Sequence, residues 1–105
     1  KSAKDAGIAL NTGGIYAGFN GPRFETPAEI RMAALSGATV VGMTGVPEVS
    51  LAKEAGLRYA AIALVVNPAA GISDAPITME DINAALKAAS EKVITIIDGT
   101  IKAFA

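Results

Sequence analysis

Neither cysteine nor histidine occurs among the 105 residues. The missing cysteines exclude a disulfide framework and a thiolate nucleophile. The missing histidines exclude a Ser-His-Asp triad and disfavour a zinc site made by this chain alone. An excess of charge of either sign is lacking too: nine Lys and Arg stand against ten Asp and Glu, a formal net charge of -1. That balance leaves no electrostatic footprint for nucleic acid or for an anionic membrane. The longest strongly apolar run, Ala60 to Val66, is far too short for the roughly 20 residues that a spanning helix needs. The opening KSAKDAG carries no apolar signal-peptide core. A soluble, cytoplasmic protein is the expectation. No GxGxxG, GxxxxGK[ST] or G-x-S-x-G pattern is present either. Any chemistry must run on carboxylates, amides, hydroxyls or bound substrate.

What is there is a chain rich enough in apolar residues, at 51%, to bury a core. Its length fits one domain or part of one. It opens without Met, and Lys1 and Lys4 followed by Gly7 read as the last turn of a helix. A truncated or split chain is expected from that start.

Short apolar runs at Ile8 to Leu10 and Ile15 to Phe19 flank Asn11-Thr12-Gly13-Gly14, a hairpin signal. Thr26, Pro27 and Glu29 form the start signal of a helix that carries Ile30, Ala33 and Ala34 and ends at Gly37. A strand is predicted over Thr39 to Met43, and a helix from Pro47 to Gly56. A second strand is predicted over Arg58 to Val66, apolar almost throughout and therefore expected to be buried on both faces. After a loop from Asn67 to Pro76, Thr78 caps a long helix with Asp81 at the capping-box position. Its expected apolar stripe is Ile82, Leu86, Ala89, Val93, Ile97, Ile101 and Phe104. Strands alternating with helices predict an α/β fold.

Ligand sites in such folds favour loops at the carboxyl ends of strands. Three loops qualify: Phe19 to Thr26, Met43 to Pro47, and Asn67 to Pro76. Glu29 and Glu48 sit in first turns, where the helix dipole alone accounts for an acid. Glu25 precedes the cap and is less well explained. Phe24 is either a loop side chain plugged into the core or a ring that stacks on a ligand. Asn67 is either a turn former or a ligand-facing amide. Thr44 is either a helix N-terminal hydroxyl or a ligand contact. Residue types and spacing stop there, at an α/β domain with a polar cluster at strand ends.

The stretch from Gly14 to Gly71, with GPRFETPAEIRM, GMTGVPE and the strand end at Asn67 in that order, resembles the trimeric purine nucleoside phosphorylase and methylthioadenosine phosphorylase family. The similarity extends more loosely to the C-terminal helix. The resemblance implies a mixed sheet, partly closed into a barrel and flanked by helices, of which residues 1–105 would be the C-terminal portion. It implies reversible phosphorolysis of a purine nucleoside, with inorganic phosphate as co-substrate and no cofactor, and a homotrimer. By the same resemblance Phe24 would stack on the purine, Glu25 would bond its N1 edge, and Asn67 would bridge N7 and the 6-oxo group as the catalytic amide. Met43 would pack on the ribose, Tyr16 would reach its hydroxyls, and Thr44 would touch phosphate. The family's other phosphate-binding loops lie N-terminal to the matched region and would come from a missing N-terminal half, in the same polypeptide or a second chain.

Two further expectations rest on the same resemblance. Glu25 and Asn67 suit a 6-oxopurine, whereas adenine-preferring relatives resemble Ser and Asp at these places. Met79, with Ile82 one turn on, occupies the place of a His that bonds the 5′-hydroxyl in ordinary purine nucleoside phosphorylases; both residues are apolar here. Met79 is either core filler or the floor of a 5′-methylthio pocket, and the latter points to methylthioinosine rather than inosine or guanosine. A nucleosidase is the nearest alternative, but its relatives resemble a Met-Glu pair and an Asp where this chain has Met43-Thr44 and Asn67. A non-catalytic nucleoside-binding or assembly module is the alternative of another class.

Overall fold

The structure, a computed structural model, describes residues 1–105. They fall into two compact units, one of residues 14–76 and the other of residues 1–13 with 77–105.

In the first unit, β1 (Tyr16–Gly18), α2 (Pro27–Leu35) and β2 (Val40–Gly42) form a strand–helix–strand unit. The strands are parallel, with Tyr16 opposite Val40 and Gly18 opposite Gly42. Parallel neighbours cannot be joined by a tight turn, and α2 supplies the crossover. Its start is fixed by the predicted capping box: the Thr26 hydroxyl accepts from the Glu29 amide, and the Glu29 carboxylate accepts from the Thr26 amide. Ile30 and Ala33, one turn apart, are its buried residues. At its far end the Ala38 amide bonds the Ala33 carbonyl and the Gly37 amide bonds that of Ala34. That Schellman pattern needs a left-handed residue, which Gly37 provides at φ 91°. The same pattern closes α1 (Ser2–Asp5) at Gly7 and α3 (Glu48–Glu54) at Gly56. All three glycine stops fall where the sequence predicts them.

Two predicted strands do not form. Residues 8–10 make no hairpin with β1. The Ile15 backbone is instead committed to the β2 side: its carbonyl accepts from the Thr39 and Val40 amides, and its amide donates to the Thr39 hydroxyl at 2.9 Å. The Ile8 amide bonds the Ala3 carbonyl as part of the α1 terminus. Residues 58–66 carry β-branched and aromatic side chains, but no neighbouring strand pairs with them, and the sheet is two-stranded. Residues 58–63 are exposed rather than buried on both faces. Side-chain propensity favours a strand, yet a strand is stable only within a ladder. The sheet is thus a parallel pair rather than a mixed one.

In the second unit, α4 (Met79–Phe104) is the dominant element. The Thr78 hydroxyl accepts from the Asp81 amide at 3.1 Å, as predicted. The covered face runs through Ile82, Ala89, Val93 and Ile96, with Ile96 the one buried side chain of the helix. The predicted stripe is displaced by about one position, since Leu86, Ile97, Ile101 and Phe104 are exposed. The cause is the partner: α1 packs against α4, with Ala3 buried and Ser2 hydrogen-bonded to Thr100 at 3.1 Å. So short a helix covers only a narrow strip. No helix is long and apolar enough to cross a membrane.

Candidate functional site

Because β1 and β2 are parallel, their carboxyl ends share one edge, and the loops 19–26 and 43–47 both leave from it. The Phe19 amide bonds the Gly42 carbonyl at 2.9 Å and carries the pairing one residue beyond β1. The loops then pack on each other. A Cβ on Gly21 would stand 2.5 Å from Met43 Sδ, so the absence of a side chain there lets Met43 lie on the first loop. Tyr16 reaches across the edge: its ring lies against Gly45, and its hydroxyl accepts from the Thr44 amide at 3.2 Å.

Residues 23–26 are held by a single carboxylate. Arg23 donates from Nη1 to Glu29 Oε2 and from Nη2 to Glu29 Oε1, each at 2.9 Å. Arg23 Nη1 also donates to the Phe24 carbonyl at 3.0 Å, and Glu29 Oε2 accepts from the Thr26 amide at 2.7 Å. The paired guanidinium, then the Thr26 amide, hold the Glu29 carboxyl at about 2, well below its ordinary value.

Between these anchors sit Phe24 and Glu25. Phe24 is 51% exposed, so its ring does not plug the core. Glu25 Oε1 is buried without a hydrogen-bond partner. A buried carboxylate oxygen normally has a donor, and one left open in a surface loop is an acceptor position for something else. The third loop approaches the same helix start, since a Cβ on Gly71 would stand 2.8 Å from Pro27 Cβ. Asn67, at its beginning, donates from Nδ2 to the Pro68 carbonyl at 2.8 Å. That bond fixes the carboxamide while leaving one N–H and the carbonyl oxygen uncommitted within the amide.

The fold therefore joins Tyr16 to Thr44 by a hydrogen bond, lays Met43 on the first loop at Gly21, and holds Phe24 and Glu25 in the segment that Arg23 and Glu29 anchor. Asn67 hydrogen-bonds to none of these residues. Met79 and Ile82 belong to the other unit, on the first turns of α4; Met79 is 64% exposed and Ile82 half-buried. Sequence reasoning missed Arg23. The signal is its position six residues before Glu29, the capping-box carboxylate that it also pairs with. Acidic and other metal-ligating side chains form no group of three that could hold a metal ion.

A sequence model of the phosphorylase superfamily matches residues 1–102. A protein of Moorella thermoacetica, described as "Probable 6-oxopurine nucleoside phosphorylase", is 55% identical over 82 residues, which cover 78% of this chain and 32% of that protein. Two proteins described as "Probable S-methyl-5'-thioinosine phosphorylase" are also similar. The one from Methanothermobacter thermautotrophicus is 45% identical over 102 residues, 97% of this chain and 36% of its own length. The one from Pseudomonas syringae pv. tomato is 53% identical over 87 residues, 83% of this chain and 35% of its own length. The chain thus spans about a third of the length of the curated relatives that it matches.

Proposed function

The chain belongs to the phosphorylase superfamily, and from that membership we propose that it forms the purine-and-ribose side of a nucleoside phosphorylase active site, as the C-terminal portion of a single catalytic domain. The reaction is reversible phosphorolysis of a 6-oxopurine nucleoside, with 5′-methylthioinosine as the favoured substrate. Inorganic phosphate is the co-substrate, and no cofactor is required. The complete domain has a mixed, partly barrel-like sheet and works as a homotrimer in cytoplasmic purine salvage.

The observation that carries this reading is the open Glu25 carboxylate oxygen beside a half-exposed Phe24. The pair offers a stacking ring and an acceptor for a ring N–H, which suits the N1 edge of a 6-oxopurine. Phosphate oxygen bonds C1′ as the C1′–N9 bond breaks, and the bonding pair passes to the purine. The departing base takes up a proton at N7 from solvent water. The Asn67 carbonyl accepts from that N7–H, and its free N–H donates to the 6-oxo oxygen. An aimed donor of this kind contributes about 3 kcal/mol to the transition state. Met43 packs on the ribose, Tyr16 reaches its hydroxyls, and Thr44 contacts phosphate. Met79 and Ile82 receive the 5′ substituent.

The test is phosphate-dependent release of free base. The full-length protein carrying this segment should cleave inosine or methylthioinosine only when phosphate is present. Residues 1–105 alone should not, because the remaining phosphate contacts lie outside them. Cleavage that is independent of phosphate would favour a nucleosidase. Phosphorolysis by the 105 residues alone would overturn the assignment of the phosphate site to another segment.

A further inference from the structure

We propose that Arg23 and Glu29 are positioning residues that set the base selectivity of the site by holding the backbone on both sides of Glu25; this rests on the functional reading above. An exposed ion pair by itself contributes little. The Arg23–Glu29 pair differs from an ordinary one in what else it holds. Arg23 Nη1 is shared between the Glu29 carboxylate and the Phe24 carbonyl. Glu29 Oε2 is shared between Arg23 and the Thr26 amide. The backbone carbonyl that precedes Glu25 and the backbone amide that follows it are thereby tied to one carboxylate, the first through the Arg23 guanidinium and the second directly. That carboxylate in turn sits in the first turn of α2, whose Ile30 and Ala33 are anchored in the core. The loop inherits the rigidity of the helix.

The geometry is directional. Bidentate pairing fixes the plane of the guanidinium as well as its distance. The Phe24 carbonyl can then be held in one orientation, and with it the direction in which the Glu25 carboxylate leaves the backbone. Glu25 discriminates bases only if its open oxygen meets a ring N–H in line. A loop free to rotate would let the carboxylate follow water instead, and would admit bases that lack that N–H. Neither Arg23 nor Glu29 needs to touch substrate for this. Arg23 is 65% exposed on its side chain and Glu29 29%, so the pair lies on the outer side of the loop that it steadies.

The experiment compares wild type, Arg23→Ala, Arg23→Lys and Glu29→Gln in the full-length phosphorylase, with inosine, adenosine and phosphate as varied substrates. Arg23→Ala should lower kcat/KM for inosine about tenfold and narrow the inosine-to-adenosine ratio by a similar factor. The KM for phosphate should stay within twofold. Arg23→Lys restores the charge without the planar fork, so it should recover the ratio only in part. Glu29→Gln preserves the capping box, which accepts Gln at this position, and weakens the pairing with Arg23. It should therefore shift the ratio in a protein that remains folded, even if Arg23→Ala is poorly soluble. An active enzyme whose ratio is unchanged in both Arg23→Ala and Glu29→Gln would overturn the positioning role alone. A wild-type protein without phosphate-dependent cleavage would overturn the functional reading and this role together.

Discussion

The hydroxyl of Tyr16 accepts a hydrogen bond from the backbone amide of Thr44 at 3.2 Å, joining residues 28 positions apart. The bond connects β1 to the loop that leaves β2, and it uses only the acceptor side of the phenol. The O–H remains available as a donor. In the proposed site that donor faces a ribose hydroxyl while the Thr44 side chain meets phosphate, so one ring couples the two substrates.

Removing the hydroxyl tests the coupling. Tyr16→Phe keeps the ring against Gly45 and loses only the bond to Thr44 and the donor to ribose. A hydrogen bond of this kind is worth about 1 kcal/mol, or roughly fivefold in affinity. The KM values for nucleoside and for phosphate should rise together by about that factor. A rise confined to the nucleoside would mean that Tyr16 contacts ribose without organising the Thr44 loop.

Much of the helical framework was legible in the sequence because its signals are local. Thr26 with Glu29, Thr78 with Asp81, and the stops at Gly7, Gly37 and Gly56 each act within a turn of the chain. Strand pairing is not local. Whether residues 8–10 or Val40–Gly42 join Tyr16–Gly18 depends on which partner captures the Ile15 backbone, and Thr39 does so with its own side chain. The strand expected at 58–66 fails for the same reason: a continuous apolar run with β-branched residues marks a segment that can pair, not one that has a partner. At the site, side-chain types pointed to Phe24, Glu25 and Asn67, but not to Arg23, whose role lies wholly in three-dimensional contacts.

The Glu29 carboxyl makes acid stability a second probe. Its folded value of about 2 lies below the ordinary 4.5, so the unfolded chain takes up the proton first as pH falls. The stabilisation is therefore fully present above about pH 4.5 and is lost as pH falls toward 2. Exposure and salt screen the Arg23 pair, which keeps the effect modest. Unfolding measured from pH 7 down to 2 should show wild type losing more stability in that window than Glu29→Gln. Parallel losses in the two proteins would mean that the pairing does not persist in solution.

In the proposed site, base choice rests on Glu25 and Asn67. There Glu25 would accept from N1–H, which hypoxanthine and guanine possess and adenine lacks. The Asn67 amide would donate to a 6-oxo oxygen, where adenine presents a competing amino donor. The complete enzyme should prefer inosine over adenosine by at least about tenfold in kcat/KM, a difference of about 1.4 kcal/mol. Asn67→Asp replaces the donor by an acceptor and should move the preference toward adenosine. Equal rates on the two wild-type substrates would count against both residue assignments.

The 5′ end of the sugar separates methylthioinosine from inosine, and the proposed function assigns Met79 and Ile82 to it. Met79 opens the helix and Ile82 follows one turn later on the same side. Met79 is 64% exposed, so it is not core filler within its own unit and remains open to a ligand or to another segment of the protein. Neither a thioether nor an isoleucine side chain is a good partner for a hydroxyl. Burying the 5′-hydroxyl of inosine against them would cost about 1–3 kcal/mol. A methylthio group loses nothing there and gains from apolar burial, at about 0.8 kcal/mol per carbon, with additional favourable contact through its polarizable sulfur. The complete enzyme should therefore show a higher kcat/KM for methylthioinosine than for inosine, by one to two orders of magnitude on these estimates. Met79→His supplies a donor and an acceptor at the same helix position and should narrow the gap, chiefly by improving inosine. If inosine is the better substrate of wild type, the apolar-pocket argument fails and a general inosine and guanosine phosphorylase is left. If wild type prefers methylthioinosine but Met79→His leaves the ratio untouched, the pocket is apolar for reasons that do not involve Met79.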